Sequence, residues 1–369
     1  MMIKENNFKI GTRTKRMVLL SLLLALNAFH TVIWAQTQKE EGIPVIYSSD
    51  LWDPHGDPDD HFDLATLFSI KNLDIRAVII DYTMQANVKR TKVEKEPNLE
   101  VVEKVTRLFD RKAVSVEAGL QSPLQSTKDK GLDYPQAEQK AIALIMRQLK
   151  EVPDKSAFII TTGSVRDICA AFNRNPRLFH EKVKKVIISV GDSFGYAGIE
   201  DTNTAKDVEA WKCLMTSGLP IDWMPTNPSK RRGGPSRFVS YWLFFQPRLL
   251  QQSPEKIRQF FASERIRSDH KTMRPMWSTP AFIESAGLQC YQIDDELGWM
   301  SPTEAQDRPK AKMVAPYSFV PIEFSLDDEG VAVWKEAGEG MGTNIRVFRI
   351  NDYYLYNESM FQFLVQQFK

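Results

Sequence analysis

From residue 44 to residue 224, short apolar runs alternate with segments that carry apolar residues every three or four positions. The first pattern is typical of buried strands and the second of amphipathic helices. The predicted strands are 44–47, 75–80, 113–117, 157–161, 186–190 and 221–224, and the predicted helices are 64–70, 99–109, 137–149, 165–172 and 207–216. Strands that are apolar at every position are buried on both faces. The pattern therefore predicts an α/β fold with an open, mostly parallel sheet and helices on both faces.

The pattern after residue 224 is less regular. Pro225–Ser236 is rich in proline, glycine and basic residues and is predicted to be a loop. We expect the aromatic-rich segment Phe238–Phe261 to be mainly helical and to cap a pocket. The end of the chain predicts a late pair of strands at 331–334 and 344–350 and a closing helix at 360–368. No shift in composition marks a second domain, so 44–369 is predicted to be one domain.

The first 35 residues have the pattern of a secretory signal peptide. Five basic residues and one acid precede an apolar stretch, Met17–Leu26, and Ala35 offers a small residue for cleavage. We expect residues 1–35 to be removed, 36–43 to be a linker, and the mature protein to be periplasmic or extracellular without stable membrane insertion. The alternative is an uncleaved anchor, because Met17–Ala35 is nearly long enough to span a bilayer.

The charge balance gives no reason to expect a nucleic-acid partner. The 369 residues include 48 basic and 47 acidic ones, a formal net charge of +1. Without the leader, 43 basic and 46 acidic residues remain. The three cysteines are widely spaced and allow at most one disulfide. Cys169 and Cys213 lie in apolar helical patterns, and we interpret them as packing residues.

The densest chemical signal is an acidic loop, Asp50–Asp63, which contains six aspartates in fourteen residues. Carboxylates this close raise one another's pKa unless a cation compensates their charge. Oxygen ligands of this type suit calcium or magnesium better than zinc. The loop follows a predicted strand, at the edge where open α/β sheets bind ligands. The alternative is a solvated loop whose aspartates cap the following helix.

Five motifs follow one another in the order found in the nucleoside hydrolase family, of the inosine-uridine-preferring type and its exported relatives. They are the strand and first aspartate at 44–50, the pair Asp59-Asp60 with its helix, the segment 81–88 that carries Asn87, the turn 161–168 that carries Thr162, and the segment 201–210 that carries Asp201 and Asn203. Together these motifs resemble that family over about half of the chain.

The resemblance implies a nucleoside hydrolase-like fold, a calcium ion, and hydrolysis of the N-glycosidic bond of nucleosides or related N-ribosides. Asp50 is then a metal ligand and the base that activates water, Asp60 is a second metal ligand, and the Thr162 carbonyl is a third. The implied sugar contacts are Asp59, Asn87, Asp201 and Asn203. The expected partner is a small-molecule nucleoside or riboside, and a homo-oligomer is left open.

One departure keeps other functions open. The family closes its site with a His-Asp-Pro segment, whose aspartate is a third calcium carboxylate and whose histidine assists the leaving base. The best candidate here is Met276–Ala281, which contains neither an acid nor a histidine. Two alternatives therefore remain: a non-catalytic nucleoside- or sugar-binding protein on the same fold, and a hydrolase of a different glycoside.

Overall fold

The computed structural model describes residues 42–53, 59–81, 96–193, 198–227, 236–263, 273–338 and 344–369. The predicted signal peptide, nearly all of the predicted linker, the middle of the acidic loop at 54–58 and the predicted sugar contact Asn87 lie outside the described residues. Among the described residues, no helix is both long enough and apolar enough to cross a membrane.

Between residues 43 and 223 the predicted strands and helices are all present in the predicted order, with short additional elements between them. The strands are β1 (Ile43–Ser49), β2 (Trp52–Asp53), β3 (Leu73–Ile80), β4 (Glu96–Pro97), β5 (Ser115–Ala118), β6 (Ala157–Thr161), β7 (Val183–Ile188), β8 (Ile221–Trp223), β9 (Trp242–Phe245), β10 (Met273–Met276), β11 (Gln289–Ile293), β12 (Glu296–Met300), β13 (Lys312–Val314), β14 (Tyr317–Leu326), β15 (Ala332–Glu336) and β16 (Ile345–Ile350). The helices are α1 (Asp59–Ser69), α2 (Leu99–Leu108), α3 (Lys140–Glu151), α4 (Arg166–Arg174), α5 (Pro176–Lys182), α6 (Thr202–Ala205), α7 (Val208–Met215), α8 (Gln246–Gln252), α9 (Glu255–Ser263), α10 (Thr279–Ser285), α11 (Pro302–Gln306) and α12 (Tyr353–Gln367).

Nine strands form the central sheet in the order β15-β14-β16-β8-β7-β6-β1-β3-β5. The seven strands from β16 to β5 are parallel, and β14 and β15 add an antiparallel edge. Successive side chains of β1 enter two separate apolar clusters, Val45 and Tyr47 the first and Ile46 the second. Both faces of the sheet are therefore covered, and the predicted α/β fold class is confirmed.

The strand order reverses between β1 and β6. The chain builds β3 and β5 on one side of β1 and then returns to build β6, β7 and β8 on the other. The backbone N–H of Thr162, just after β6, donates to the carbonyl of Ser48 at 2.9 Å. The helices that follow β1 and β6 pack in different apolar clusters, so they lie on opposite faces of the sheet. Open α/β sheets bind ligands in a crevice at such a reversal of strand order, and we call this edge of the sheet the crevice.

The C-terminal part differs from the sequence prediction in two respects. The segment 238–261 contains β9 before its helices, and β9 pairs with β10 in a small separate sheet. The predicted late strands β15 and β16 do not pair with each other, because β14 lies between them. Most of β14 is only half-buried, so it lacks the continuous apolar run that marks the central strands.

The interpretation of Cys169 and Cys213 as simple packing residues was wrong. They lie on α4 and α7, and their Cα atoms are 6.2 Å apart in a disulfide. Cys290 is a buried free cysteine, and burial raises the pKa of its thiol to about 12.

Candidate functional site

The centre of the crevice is an ion pair between Asp50 and Lys206. Asp50 follows the last residue of β1, and the Nζ atom of Lys206 lies 2.6 Å from its Oδ2 atom. The same Nζ atom lies 2.7 Å from Oδ1 of Asn203 and 4.4 Å from the ring centroid of Trp52. The Lys206 side chain is 11% exposed and that of Asp50 16%, so a solute can reach the pair. Two predicted site residues, Asp50 and Asn203, thus meet at a lysine to which sequence reasoning gave no role.

Thr162 belongs to the same set of contacts. The side-chain amide of Asn203 donates to the Thr162 carbonyl at 2.9 Å. The hydroxyl of Thr162 lies 3.0 Å from that of Tyr47. Asp50, Lys206, Asn203 and Thr162 therefore form a continuous chain of polar contacts, which we call the Lys206 network. It joins the carboxyl ends of β1 and β6 to helix α6.

Two helix caps place Lys206 at this point. The Asp201 carboxylate accepts from the backbone N–H and the hydroxyl of Thr204, at 2.7 and 2.8 Å, and caps α6. The Asp207 carboxylate accepts from the backbone N–H of Ala210 at 2.9 Å and caps α7. An aspartate at a helix N-cap fixes where the helix starts. One helix therefore ends and another begins within two residues, with Lys206 at the junction.

Asp201 lies at the crevice, and structural hydrogen bonds occupy both oxygens of its carboxylate. Oδ2 caps α6, and Oδ1 accepts from the hydroxyl of Thr226 at 2.6 Å. The backbone N–H of Asp201 donates to Asp192 at 3.1 Å, so Asp192 also positions this turn. Burial raises the pKa of Asp192, against the hydrogen bonds that its carboxylate accepts.

Asp81, at the end of β3, is a buried carboxyl beside the Lys206 network. Its Oδ2 atom accepts from the backbone N–H of Ser164, and its Oδ1 atom is buried without a hydrogen-bond partner among the described residues. Burial raises the pKa of Asp81 to about 8, the charge of Lys206 acts in the opposite direction, and the charge of Asp50 raises it further. Asp81 is therefore a neutral or partly ionised acid at neutral pH.

A glycine allows these groups to approach. A Cβ atom on Gly163 would lie 2.3 Å from Oδ2 of Asp81 and 2.9 Å from the backbone nitrogen of Asp50. Both distances are too short for a carbon contact, so only glycine fits between the ends of β1, β3 and β6 in this arrangement.

The predicted residues Asp59 and Asp60 begin helix α1, and Asp60 is 9% exposed. Burial raises the pKa of Tyr47 well above its ordinary value, and the charges of Asp63 and Asp60 raise it further. The Tyr47 hydroxyl contacts Thr162, so these acids lie on the Thr162 side of the crevice. The predicted sugar contact Asn87 lies outside the described residues.

A second ion pair, Arg166 with Asp207, lies beneath the first. Nε of Arg166 is 3.0 Å from Oδ2 of Asp207, and the two side chains are 2% and 0% exposed. The guanidinium also donates to three backbone carbonyls, those of Leu120, Gln121 and Lys206. Burial raises the pKa of Asp207, and the charge of Arg166 opposes that shift. The guanidinium thereby fixes the backbone that carries Lys206.

The segment Met276–Ala281 borders the crevice without supplying a carboxylate. The ring N–H of Trp277 donates to the carbonyl of Thr226 at 3.0 Å, and the hydroxyl of Ser278 lies 3.3 Å from that of Ser189. Thr279 accepts from the ring N–H of Trp242 at 3.1 Å. Within the described part of the chain, no group of three or more His, Cys, Asp or Glu residues is arranged to hold a metal ion.

Sequence reasoning missed the site residues Lys206, Asp81, Asp192 and Arg166. One signal pointed to the first of them, because Lys206 is the only basic residue in the segment 201–210 that resembles the ribose-holding motif. The other three become visible only when the strand ends are brought together.

At the level of sequence, no family model and no curated protein matches this chain. Its structure is similar to that of a plant nucleoside hydrolase, with a TM-score of 0.53, 13% identity, and coverage of 88% of this chain and 98% of that one. It is also similar to a purine-preferring ribonucleoside hydrolase from Gardnerella vaginalis, with a TM-score of 0.51, 13% identity and the same coverage. The protein therefore has the nucleoside hydrolase fold, and the resemblance inferred from its motifs is confirmed at that level.

Proposed function

We propose that this protein hydrolyses the N-glycosidic bond of nucleosides or related N-ribosides, with Asp50 as the base that activates water. The observation that carries the proposal is the convergence of Asp50, Asn203 and Lys206 at the crevice between β1 and β6. The nucleoside hydrolase fold supports it as an analogy.

N-riboside hydrolysis passes through an oxocarbenium-like transition state, so the site must deliver water to the anomeric carbon and hold the ribose hydroxyls. Lys206 holds one oxygen of the Asp50 carboxylate, which leaves the other oxygen to accept a proton from water. The Asn203 amide is fixed at both ends, by Lys206 and by the Thr162 carbonyl, so its orientation is set before the sugar binds.

The side of the crevice next to Trp277 supplies an aromatic surface for the leaving base. The rings of Tyr241 and Trp277 are 5.3 Å apart in an edge-to-face arrangement, and Tyr241 is 41% exposed. Thr226 connects Trp277 to Asp201 through two hydrogen bonds. Met276–Ala281 contains no acidic or basic side chain, so in this proposal the segment binds the base and does not protonate it.

The described residues do not fit the calcium ion that the resemblance implies. Of the three implied ligands, Asp50 has one oxygen 2.6 Å from an ammonium group, and the Thr162 carbonyl accepts a hydrogen bond from Asn203. The segment Met276–Ala281, which the resemblance matches to the family's third carboxylate, offers only the hydroxyl groups of Ser278 and Thr279. A divalent cation on the same carboxylate oxygen would be repelled by the lysine charge. We therefore derive no step through a metal ion, and Asp60 is kept as a group near Thr162 without an assigned role.

A second candidate function is non-hydrolytic binding of a nucleoside or sugar. The Asp50–Lys206 ion pair favours it, because an ammonium at 2.6 Å withdraws one carboxylate oxygen from the reaction. This candidate keeps the same sugar contacts and differs only in the fate of the glycosidic bond.

We also propose that the protein is exported, with residues 1–35 as its signal peptide and 44–369 as its mature domain. The Cys169–Cys213 disulfide supports an oxidising compartment, because structural disulfides are rare in reducing ones. N-terminal sequencing of the protein recovered outside the cytoplasm tests this proposal. A mature chain that begins near Gln36 supports it, and an intact Met1 contradicts it.

The test of the proposed activity is release of free ribose from inosine, uridine, adenosine and cytidine. We expect the wild-type protein to release ribose from at least one of them and Asp50→Asn to lower kcat by about 100-fold or more, because a general base is removed. Asp154→Asn is the matched control, since Asp154 is an exposed acid that also pairs with a lysine. Binding of a nucleoside without release of ribose from any of them would contradict hydrolysis and favour the binding protein.

A further inference from the structure

We propose that the ammonium group of Lys206 takes the place of a divalent cation in this site, so that the protein binds the ribose hydroxyls of its ligand without a metal. The inference rests on the proposed function for the identity of the ligand, an N-riboside.

The position of the ammonium is the first argument. Nζ of Lys206 lies 2.6 Å from Asp50 and 2.7 Å from Asn203, the residues that the resemblance assigns to the metal and to the sugar. Asn203 in turn donates to the Thr162 carbonyl, which the resemblance assigns to the metal as a backbone ligand. The lysine thus contacts one of the implied metal ligands, Asp50, and is linked through Asn203 to a second, the Thr162 carbonyl.

Charge compensation is the second argument. Asp50 is a carboxylate whose side chain is only 16% exposed, and a carboxylate largely removed from water requires a nearby positive charge. Lys206 supplies that charge from within the chain. The face of the Trp52 ring, 4.4 Å from Nζ, adds a cation–π contact that favours the ammonium in this position.

The rigidity of the lysine backbone is the third argument. Arg166 donates to the backbone carbonyl of Lys206 at 3.0 Å, and the caps of α6 and α7 fix the residues on both sides of it. The side chain is only 11% exposed. A surface lysine would pay a large entropic cost to hold a ligand, whereas this one is already positioned.

The number of N–H donors on the ammonium indicates which ligand groups it can bind. An ammonium has three N–H donors, and the bonds to Asp50 and Asn203 use two of them. The third is left for the Trp52 ring or for an incoming oxygen atom. A hydroxyl oxygen of ribose accepts such a bond and can donate in turn to the free oxygen of Asp50. The chemical class that fits is therefore a neutral sugar hydroxyl, as found in an N-riboside.

The first experiment measures metal binding by titrating calcium chloride into the purified protein in a calorimeter. We expect no binding to the wild type, and the same thermal unfolding midpoint in calcium chloride and in EDTA. Calcium binding with a dissociation constant below about 1 mM, accompanied by a higher midpoint, would overturn the proposal. This readout does not depend on catalytic activity.

The second experiment measures binding of D-ribose and of inosine in EDTA to the wild type, Lys206→Met, Lys206→Arg and Lys185→Met. Lys185 is the matched control, because it also pairs with a buried aspartate, Asp222, at 3.1 Å but lies outside the Lys206 network. We expect Lys206→Met to weaken binding by about tenfold or more, since a charge-assisted hydrogen bond is lost. Binding by Lys206→Met equal to that of the wild type would overturn the proposal.

Lys206→Arg keeps the charge but changes its shape, so we expect it to bind more weakly than the wild type and more tightly than Lys206→Met. If Lys206→Met does not fold, judged by circular dichroism, Lys206→Arg and the insensitivity of the wild type to EDTA still test the proposal.

The outcomes separate this inference from the proposed activity. Ribose binding that depends on Lys206 and is insensitive to EDTA, without ribose release from any nucleoside, supports the inference and contradicts hydrolysis. Ribose release that requires calcium supports hydrolysis and overturns the inference.

Discussion

The ion pairs Arg166–Asp207 and Lys206–Asp50 meet in one chain segment, because Lys206 and Asp207 are neighbours. They differ in solvent exposure and in the partners of their cations. Arg166–Asp207 is sealed from solvent, with side chains 2% and 0% exposed, whereas Lys206–Asp50 opens to the crevice at 11% and 16%. The guanidinium of Arg166 is surrounded by one carboxylate and three backbone carbonyls. The ammonium of Lys206 has two polar partners and an aromatic ring.

The difference shows how one chain segment can have a fixed backbone and still present a charged group to a ligand. A planar guanidinium with five donors suits a buried structural junction, whereas a compact ammonium on a flexible stem can exchange one partner for a ligand. The two pairs are coupled because Arg166 holds the carbonyl of Lys206 itself. The sealed pair sets the backbone, and the open pair presents the charge. Four predictions test this division, from the largest expected effect to the smallest.

Breaking the sealed pair with Arg166→Met should lower the free energy of unfolding by about 3–5 kcal/mol, because Asp207 and three carbonyls lose their partner in a dry environment. Urea denaturation followed by circular dichroism measures it. The control is Arg177→Met, since Arg177 forms an exposed i,i+4 pair with Glu181 and should change stability by less than about 0.5 kcal/mol. Equal losses for the two variants would remove the distinction between the pairs.

Opening the disulfide should have the next largest effect. It connects α4, which begins with Arg166, to α7, which Asp207 caps, and it joins residues 44 positions apart. Replacing both Cys169 and Cys213 by Ala should lower the free energy of unfolding by about 2–4 kcal/mol through a larger unfolded-state entropy. A reducing agent should destabilise the wild type and leave the double variant unchanged. Equal stability of the oxidised and reduced wild type would contradict this expectation.

Asp81 sharpens the comparison through pH. Its pKa is raised in the folded state from 3.8 to about 8, so between these values the folded protein keeps a proton that the unfolded chain has released. The contribution of Asp81 therefore makes stability fall as pH rises, by at most about 1.4 kcal/mol per pH unit. Urea denaturation at several values between pH 5 and pH 8 should show that Asp81→Asn lacks this fall. Parallel pH profiles for the wild type and the variant would exclude Asp81 as the cause.

Removing the open pair should have the smallest effect on stability. We expect Lys206→Met to lower the free energy of unfolding by about 1 kcal/mol, because one hydrogen-bonded ion pair is lost and water can reach Asp50, which is 16% exposed, in its place. The measurement is the same urea denaturation at pH 7 used for Arg166→Met. A loss as large as that of Arg166→Met would show that Lys206 is mainly a structural residue.

The sequence predicts the parallel part of the fold well because most of its central strands contain a buried apolar run, such as 45–47, 77–80 and 158–160. The resemblance to the nucleoside hydrolase family implies that Asp50 and Thr162 belong to one site, and in the structure both follow strands of one parallel sheet. The sequence does not predict β14, whose half-buried positions mix polar and apolar residues. A local sequence pattern does not reveal which strands become neighbours in the sheet when they are far apart in sequence.

The sequence did not indicate the role of Lys206, for a different reason. A lysine on a solvated helix face and a lysine directed into a crevice look the same in a sequence. What separates them is the chain reversal between α6 and α7 and the carbonyl contact from Arg166. The disulfide depends in the same way on how α4 and α7 pack, which the spacing of two cysteines does not reveal.

Gly163 determines the width of the crevice, a property that does not depend on charge. A single methyl group there would lie 2.9 Å from the backbone nitrogen of Asp50, an atom that no side-chain rotation can move. Its insertion would act as a wedge between the ends of two central strands and widen the gap that Lys206 must bridge. The reach of a lysine side chain is limited by its four-carbon stem. Because residue 163 has no side chain, the ends of β1 and β6 stay close enough for the Lys206 ammonium to reach its partners across the opening.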